Sequence, residues 1–112
     1  MAGNQGGAPG HRPALFLDHV LVPVIDLESA ASRLHSEHGL VALPGGRHPG
    51  VGTANMIVPL GRTYLELIAV VDADEAREVP RSRRIGEAAA AGRAFATWAA
   101  RTEDLDGLRA AL

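Results

Sequence analysis

Neither cysteine nor lysine occurs in this 112-residue chain. The missing thiols exclude disulfides, thiolate metal sites and cysteine nucleophiles. The missing ammonium groups exclude Schiff-base and lysine-nucleophile chemistry from this chain, every basic residue other than histidine being arginine. No apolar run approaches the roughly 20 residues that span a bilayer, so no membrane partner is expected. The start lacks the basic flank and continuous apolar stretch of a signal peptide, and with no cysteine this suits a cytoplasmic protein. Nor is there an excess of positive charge: 11 Lys+Arg against 13 Asp+Glu give a formal charge of −2, and no nucleic-acid partner is indicated.

What is present reads as one small α+β unit with appendages. Residues 1–13 are polar, Gly- and Pro-containing and without an apolar run, and are expected to form a flexible leader. Leu15 to Val24 is rich in apolar and β-branched residues, interrupted by Asp18-His19, and predicts a strand ending near Pro23. Asp26 has the chemistry of an N-cap, Gly39 that of a C-terminal stop, and Leu27, Ala30, Ala31 and Leu34 make one helical stripe between them.

A short second strand is expected over Leu40 to Leu43. The Gly- and Pro-rich segment from Pro44 to Gly52 predicts a shaped loop. Thr53 to Leu60 and Thr63 to Val71 read as two strands joined by a hairpin turn at Gly61-Arg62. The order is β-α-β-β-β over 14–71.

Beyond this unit, 72–93 reads as a linker of charged and helix-forming segments, and 94–112 as a strand followed by a helix. Asp104-Leu105 echoes Asp26-Leu27 at an offset of 78 residues, which sets Thr97 opposite His19. The C-terminal segment therefore has the pattern of a second β-α unit just begun.

Together, Leu17-Asp18-His19-Val20, the loop Pro44-Gly45-Gly46-Arg47-His48-Pro49-Gly50, Gly52-Thr53-Ala54-Asn55 and Tyr64-Leu65-Glu66-Leu67-Ile68 resemble the vicinal oxygen chelate superfamily, in particular its glyoxalase-like domain branch. The resemblance implies paired βαβββ modules around a pocket, here a first module and a truncated second β-α unit. It implies a divalent metal (Zn, Ni, Fe or Mn) completed by oxygens of a small organic ligand. The superfamily includes lyases, dioxygenases, epimerases and non-enzymatic binding proteins, so the fold alone does not select the reaction.

Carried over position by position, His19 matches the first-strand metal ligand and Glu66 the fourth-strand carboxylate ligand. Glu66 would be costly to bury without a metal or hydrogen-bond partner. His48 is a candidate to supply the missing second imidazole, or a catalytic group, if its loop folds over the sheet, the alternative being an exposed loop histidine. Asn55 either orients a ligand carbonyl or stabilises the preceding turn. Arg47 either holds an oxygen-rich ligand or is solvated. Thr97 stands where a second-module histidine would be expected and is a poor transition-metal ligand. His11 falls in the leader, and His35 and His38 fall on a solvated helix face.

Three function classes remain open: a metal-dependent lyase, isomerase or dioxygenase, a metal-free small-molecule binder, and an assembly module. A sheet with an uncovered edge also predicts a homodimer, or pairing with a complementary module.

Overall fold

The computed structural model describes residues 14–112; the proposed leader and His11 lie outside the described residues. The chain runs β1 (Phe16–Pro23), α1 (Leu27–His38), β2 (Leu43–His48), β3 (Thr53–Leu60), β4 (Thr63–Val70), α2 (Ala73–Arg77), α3 (Pro80–Ala90), β5 (Thr97–Arg101) and α4 (Leu105–Ala111). The strands form one five-stranded sheet in the order β2-β3-β4-β1-β5. This is an α+β fold with a βαβββ module as its first half.

Helix α1 starts where the sequence supplies a cap. The Asp26 carboxylate accepts from the Ser29 amide at 2.8 Å, and Gly39 closes the helix with φ +69°. Its stripe of Leu27, Ala30, Ala31 and Leu34 is half-buried, and the helix packs on β3 and β4. The face it covers holds Val58 and Leu67, the two largest fully buried side chains.

The opposite face of the sheet is covered by α3. Leu21 of β1, Ile68 of β4 and Ile85 of α3 form a buried cluster there. Ser82 on the same helix is buried and donates to the Val51 carbonyl at 2.6 Å, tying α3 to the segment that leads into β3. The polar side chains of interest emerge on this α3 side, because β1 and β4 are neighbours. These strands are parallel, with His19 beside Tyr64 and Leu21 beside Glu66. Alternation along a strand then puts His19, Leu21, Tyr64, Glu66 and Ile68 on one face. In the antiparallel β3–β4 pair, Asn55 stands beside Ile68 and Thr53 beside Val70, on that same face.

The expectation of a strand over Leu40 to Leu43 followed by a loop is corrected: β2 occupies Leu43–His48, inside the Gly/Pro-rich segment. Among the described residues it is an edge strand paired only with β3, and its register shifts between Pro44 and Arg47. An edge position tolerates the missing amide of Pro44, and the bulge absorbs the misfit. Gly45 is required by close approach, since a Cβ there would collide with the Asn55 side chain. The Gly46 amide donates to Asn55 Oδ1 at 2.9 Å, so the glycines let β2 close upon β3.

The strand expected within 94–112 occupies Thr97–Arg101, antiparallel to β1. The capping echo holds in detail: Asp104 accepts from the Gly107 amide at 2.8 Å, as Asp26 does from Ser29.

Candidate functional site

The site begins with two consecutive residues of β1 at the register shift against β5, where their side chains meet instead of splaying to opposite faces. Asp18 Oδ2 lies 2.7 Å from His19 Nδ1. Its other oxygen is 3.1 Å from an Arg101 guanidinium nitrogen on β5. The bonds from His19 first, then Arg101, hold the Asp18 carboxyl below the ordinary carboxylate range. An ionised carboxylate only accepts, so Nδ1 carries the hydrogen of the short bond. In the neutral ring the lone pair therefore sits on Nε2, and Nε2 faces Glu66 Oε1 at 3.4 Å.

Glu66 is held from the other side. Asn55 Nδ2 donates to Glu66 Oε2 at 2.8 Å, while Asn55 Oδ1 accepts from Gly46. The Asn55 amide thus orients the Glu66 carboxylate and steadies the β2 bulge. Both acid and imidazole are largely buried, with side chains 14% and 18% exposed, which is dry enough to strengthen their interaction with a charge. Tyr64 stacks on His19 with ring centroids 4.6 Å apart and planes at 9°. Burial first, then the negative charges of Asp18 and Glu66, push the Tyr64 phenol above its usual pKa, which keeps it neutral.

His48 ends β2 and faces inward, its Nδ1 2.8 Å from the buried Thr53 hydroxyl. It shares with Glu66 a cavity of about 300 Å³ roofed by Val79, Ser82 and Ile85. Arg47 sits on the opposite pleat, pairs with Asp72 at 3.5 Å, and lies outside that cavity. Thr97 is exposed and stands beside Leu21 in the β1–β5 register, whereas His19 stands beside Ala99. His35 and His38 are exposed in the last turn of α1.

Sequence reasoning overlooked Asp18, Tyr64 and Arg101. The Asp-His dipeptide was visible, but a strand normally splays consecutive side chains to opposite faces. The register shift between Leu17 and His19 where β1 meets β5 is the local irregularity at this place. Three arginines of the α3 region were also missed: Arg81, Arg84 and Arg93 line an open groove of about 570 Å³ beside Leu21.

Among the described residues, no group of three His, Asp or Glu side chains is placed to hold a metal ion. His19 and Glu66 nevertheless fit two positions of a nitrogen–oxygen donor set suited to zinc, nickel, iron or manganese. Each has its non-facing atom occupied, Nδ1 by Asp18 and Oε2 by Asn55, as supporting partners of a ligating pair would do.

The βαβββ fold is that of the vicinal oxygen chelate superfamily. A family described as "Glyoxalase-like domain" matches residues 17–112, and the chain belongs to it. Solved structures extend the likeness at the level of fold. Methylmalonyl-CoA epimerase from Mycobacterium tuberculosis is 23% identical with a TM-score of 0.61, over 83% of this chain and 59% of that one. A hypothetical protein from Staphylococcus aureus is 17% identical with a TM-score of 0.68, over 88% of this chain and 41% of that one. A Streptomyces coelicolor methylmalonyl-CoA epimerase variant, in complex with 2-nitronate-propionyl-CoA, is 17% identical with a TM-score of 0.63, over 86% and 68%. The chain thus spans 59% and 41% of the first two of these structures. No curated protein sequence matches it. Among the described residues no helix is long and apolar enough to cross a membrane.

Proposed function

We propose that the chain provides half of a divalent-metal site for lyase or isomerase chemistry on a small oxygen-rich organic substrate. The observation that carries this reading is the approach of His19 Nε2 to Glu66 Oε1 across neighbouring strands, with the opposite atom of each fixed by Asp18 and Asn55. A bound metal of this kind would supply Lewis-acid polarisation of substrate oxygens. His19 and Glu66 would hold it, with the remaining donors coming from a second copy, a further module or the substrate.

The chain's own groups have separate tasks. Asp18 keeps the imidazole in the tautomer that presents Nε2. Asn55 occupies Oε2 of Glu66 and leaves Oε1 as the one atom open either to a metal or, in its place, to a proton. Tyr64 covers one face of His19 and helps to exclude water, and His48 with Thr53 forms the polar wall of the cavity shared with Glu66. Oxygenase chemistry would call on iron or manganese at the same pair, and it has no residue in its particular favour.

A second reading, a metal-free small-molecule binding protein, is favoured by the lack of a three-group metal cluster among the described residues. Metal titration of the purified chain, with bound metal counted by elemental analysis, separates the two. Stoichiometric metal that is lost in both His19→Ala and Glu66→Gln supports the metal site. Metal retained in both variants, or none bound by the parent chain, would reject it in favour of the binder.

A further inference from the structure

The groove between α3, β1 and β5 has a division of chemistry that the metal pair does not use. Its floor is apolar, built from Leu21, Ile85 and Ala88, all of them buried. Its rim carries Arg81, Arg84 and Arg93 against the single acid Glu87. These three guanidinium groups have no carboxylate within ion-pair distance among the described residues, as is also true of Arg62, Arg83 and Arg109, while Arg33, Arg47, Arg77 and Arg101 each have one; what sets the three apart is that they line one groove. Clustering three unpaired cations of one sign is unfavourable unless solvent or an anion offsets it. The chain as a whole is net negative, so this patch is a local departure and not part of a general positive surface.

Position gives the patch its meaning. Leu21, on the groove floor, stands beside Glu66 in the β1–β4 register. Arg81 borders both this groove and the cavity that contains His48 and Glu66. An anion held at the rim therefore lies along the same face of the sheet as the His19–Glu66 pair, with an apolar path between.

We propose that this groove is an anion subsite that takes a carboxylate or phosphate joined to a short hydrocarbon segment, the oxyanion on the Arg84–Arg93 rim and the hydrocarbon on Leu21, Ile85 and Ala88. Guanidinium groups suit either oxyanion because their planar donors match both in paired hydrogen bonds. The proposal deepens the metal-site reading by naming the substrate class, an organic acid or phosphate ester, and rests on it only for the second end of the ligand.

The test titrates the full chain, free of metal, with hexyl phosphate, hexanoate and inorganic phosphate. It follows the backbone amide signals of Ala88, Ala96 and Thr97 by NMR. Saturable shifts at these residues are expected with the hexyl compounds, and weaker ones with inorganic phosphate, which lacks the apolar part. The tighter of the two hexyl ligands identifies the oxyanion preferred. Arg84→Gln and Arg93→Gln should each weaken binding about tenfold, as loss of a charge-assisted bond does, while Arg33→Gln on α1 leaves it unchanged. His19→Ala should keep anion binding whether or not metal is bound, so failure of the metal site and failure of this subsite give different results. Unsaturable or scattered shifts, or equal loss in Arg33→Gln, would overturn the subsite.

Discussion

Asp18 shows how much of the site depends on one side chain. It bridges the imidazole of His19 and the guanidinium of Arg101, which are contributed by different strands. Asp18→Asn keeps its size and removes the obligatory acceptor. The His19 ring is then free to exchange tautomers, and metal affinity should fall about tenfold to a hundredfold, the usual cost of losing a partner behind a ligating histidine. Nitrogen-15 NMR of His19 provides a reading independent of metal: Nδ1–H in the parent chain, a mixed tautomer in the variant. An unchanged His19 spectrum would remove Asp18 from this role.

The same carboxylate makes a signed prediction about pH. Its pKa is lowered in the folded chain by the bond from His19 and then by Arg101. Its contribution to stability is therefore complete above the unfolded value of about 3.9 and is lost as pH falls through the lowered folded value. In denaturant melts, the stability gap between the parent chain and Asp18→Asn should be widest near neutrality and close in acid. A gap that widens on acidification would show that Asp18 is not stabilised as a carboxylate.

At the scale of elements, legibility followed how locally each signal acts. Helix α1 was readable because its cap, stop and stripe all lie within its own residues, and the β3–β4 hairpin because two residues close it. Strand β2 was not, since Pro44, Gly45 and Gly46 forbid a regular helix and favour turns, and only pairing with β3 outweighs that preference. His19 and Glu66 were legible as polar interruptions of apolar strands, helped by the family resemblance. The partners that orient them were hidden: Arg101 reaches Asp18 across 83 positions, and Asn55 reaches Glu66 across 11. The α3 groove was hidden for a related reason, because a helix with arginines at 81 and 84 reads by itself as solvated.

These local requirements can be measured. Gly45→Ala places a Cβ against the Asn55 side chain that also holds Glu66, so it should loosen both the edge strand and the site. A cost of about 1–3 kcal/mol is expected, as for other overpacking. Leu67→Ala, at a fully buried position on the α1 side, should cost more, about 2–5 kcal/mol, while leaving the His19 tautomer untouched. Thermal and denaturant unfolding give the energies. A site signal that moves with Leu67→Ala and not with Gly45→Ala would contradict the separation of the two faces.

At the scale of the whole molecule, the sheet is unevenly finished. One side of β5 pairs with β1, and among the described residues its other edge has no strand partner. On the face away from α3, Leu17, Val20, Phe95 and Trp98 border an open apolar hollow of about 560 Å³. Phe95 and Trp98 are 62% and 64% exposed. Unpaired backbone groups beside uncovered aromatic rings favour association, either with a second copy or with a complementary module. We expect a homodimer that covers β5, since a two-fold contact satisfies both edges at once and would bring a second His19–Glu66 pair to the assembly. The chain has a single tryptophan, so Trp98 reports on this contact alone. Its emission should shift to the blue as concentration rises, in step with a doubling of mass by light scattering. Trp98→Glu should abolish both changes, because it places a charge where ring burial is needed, and it leaves β1 to β4 and the metal pair in place. A monomeric mass with unchanged emission over the full concentration range would refute association. A dimer whose Trp98 stays solvated would move the contact elsewhere on the molecule and detach it from the completion of the site.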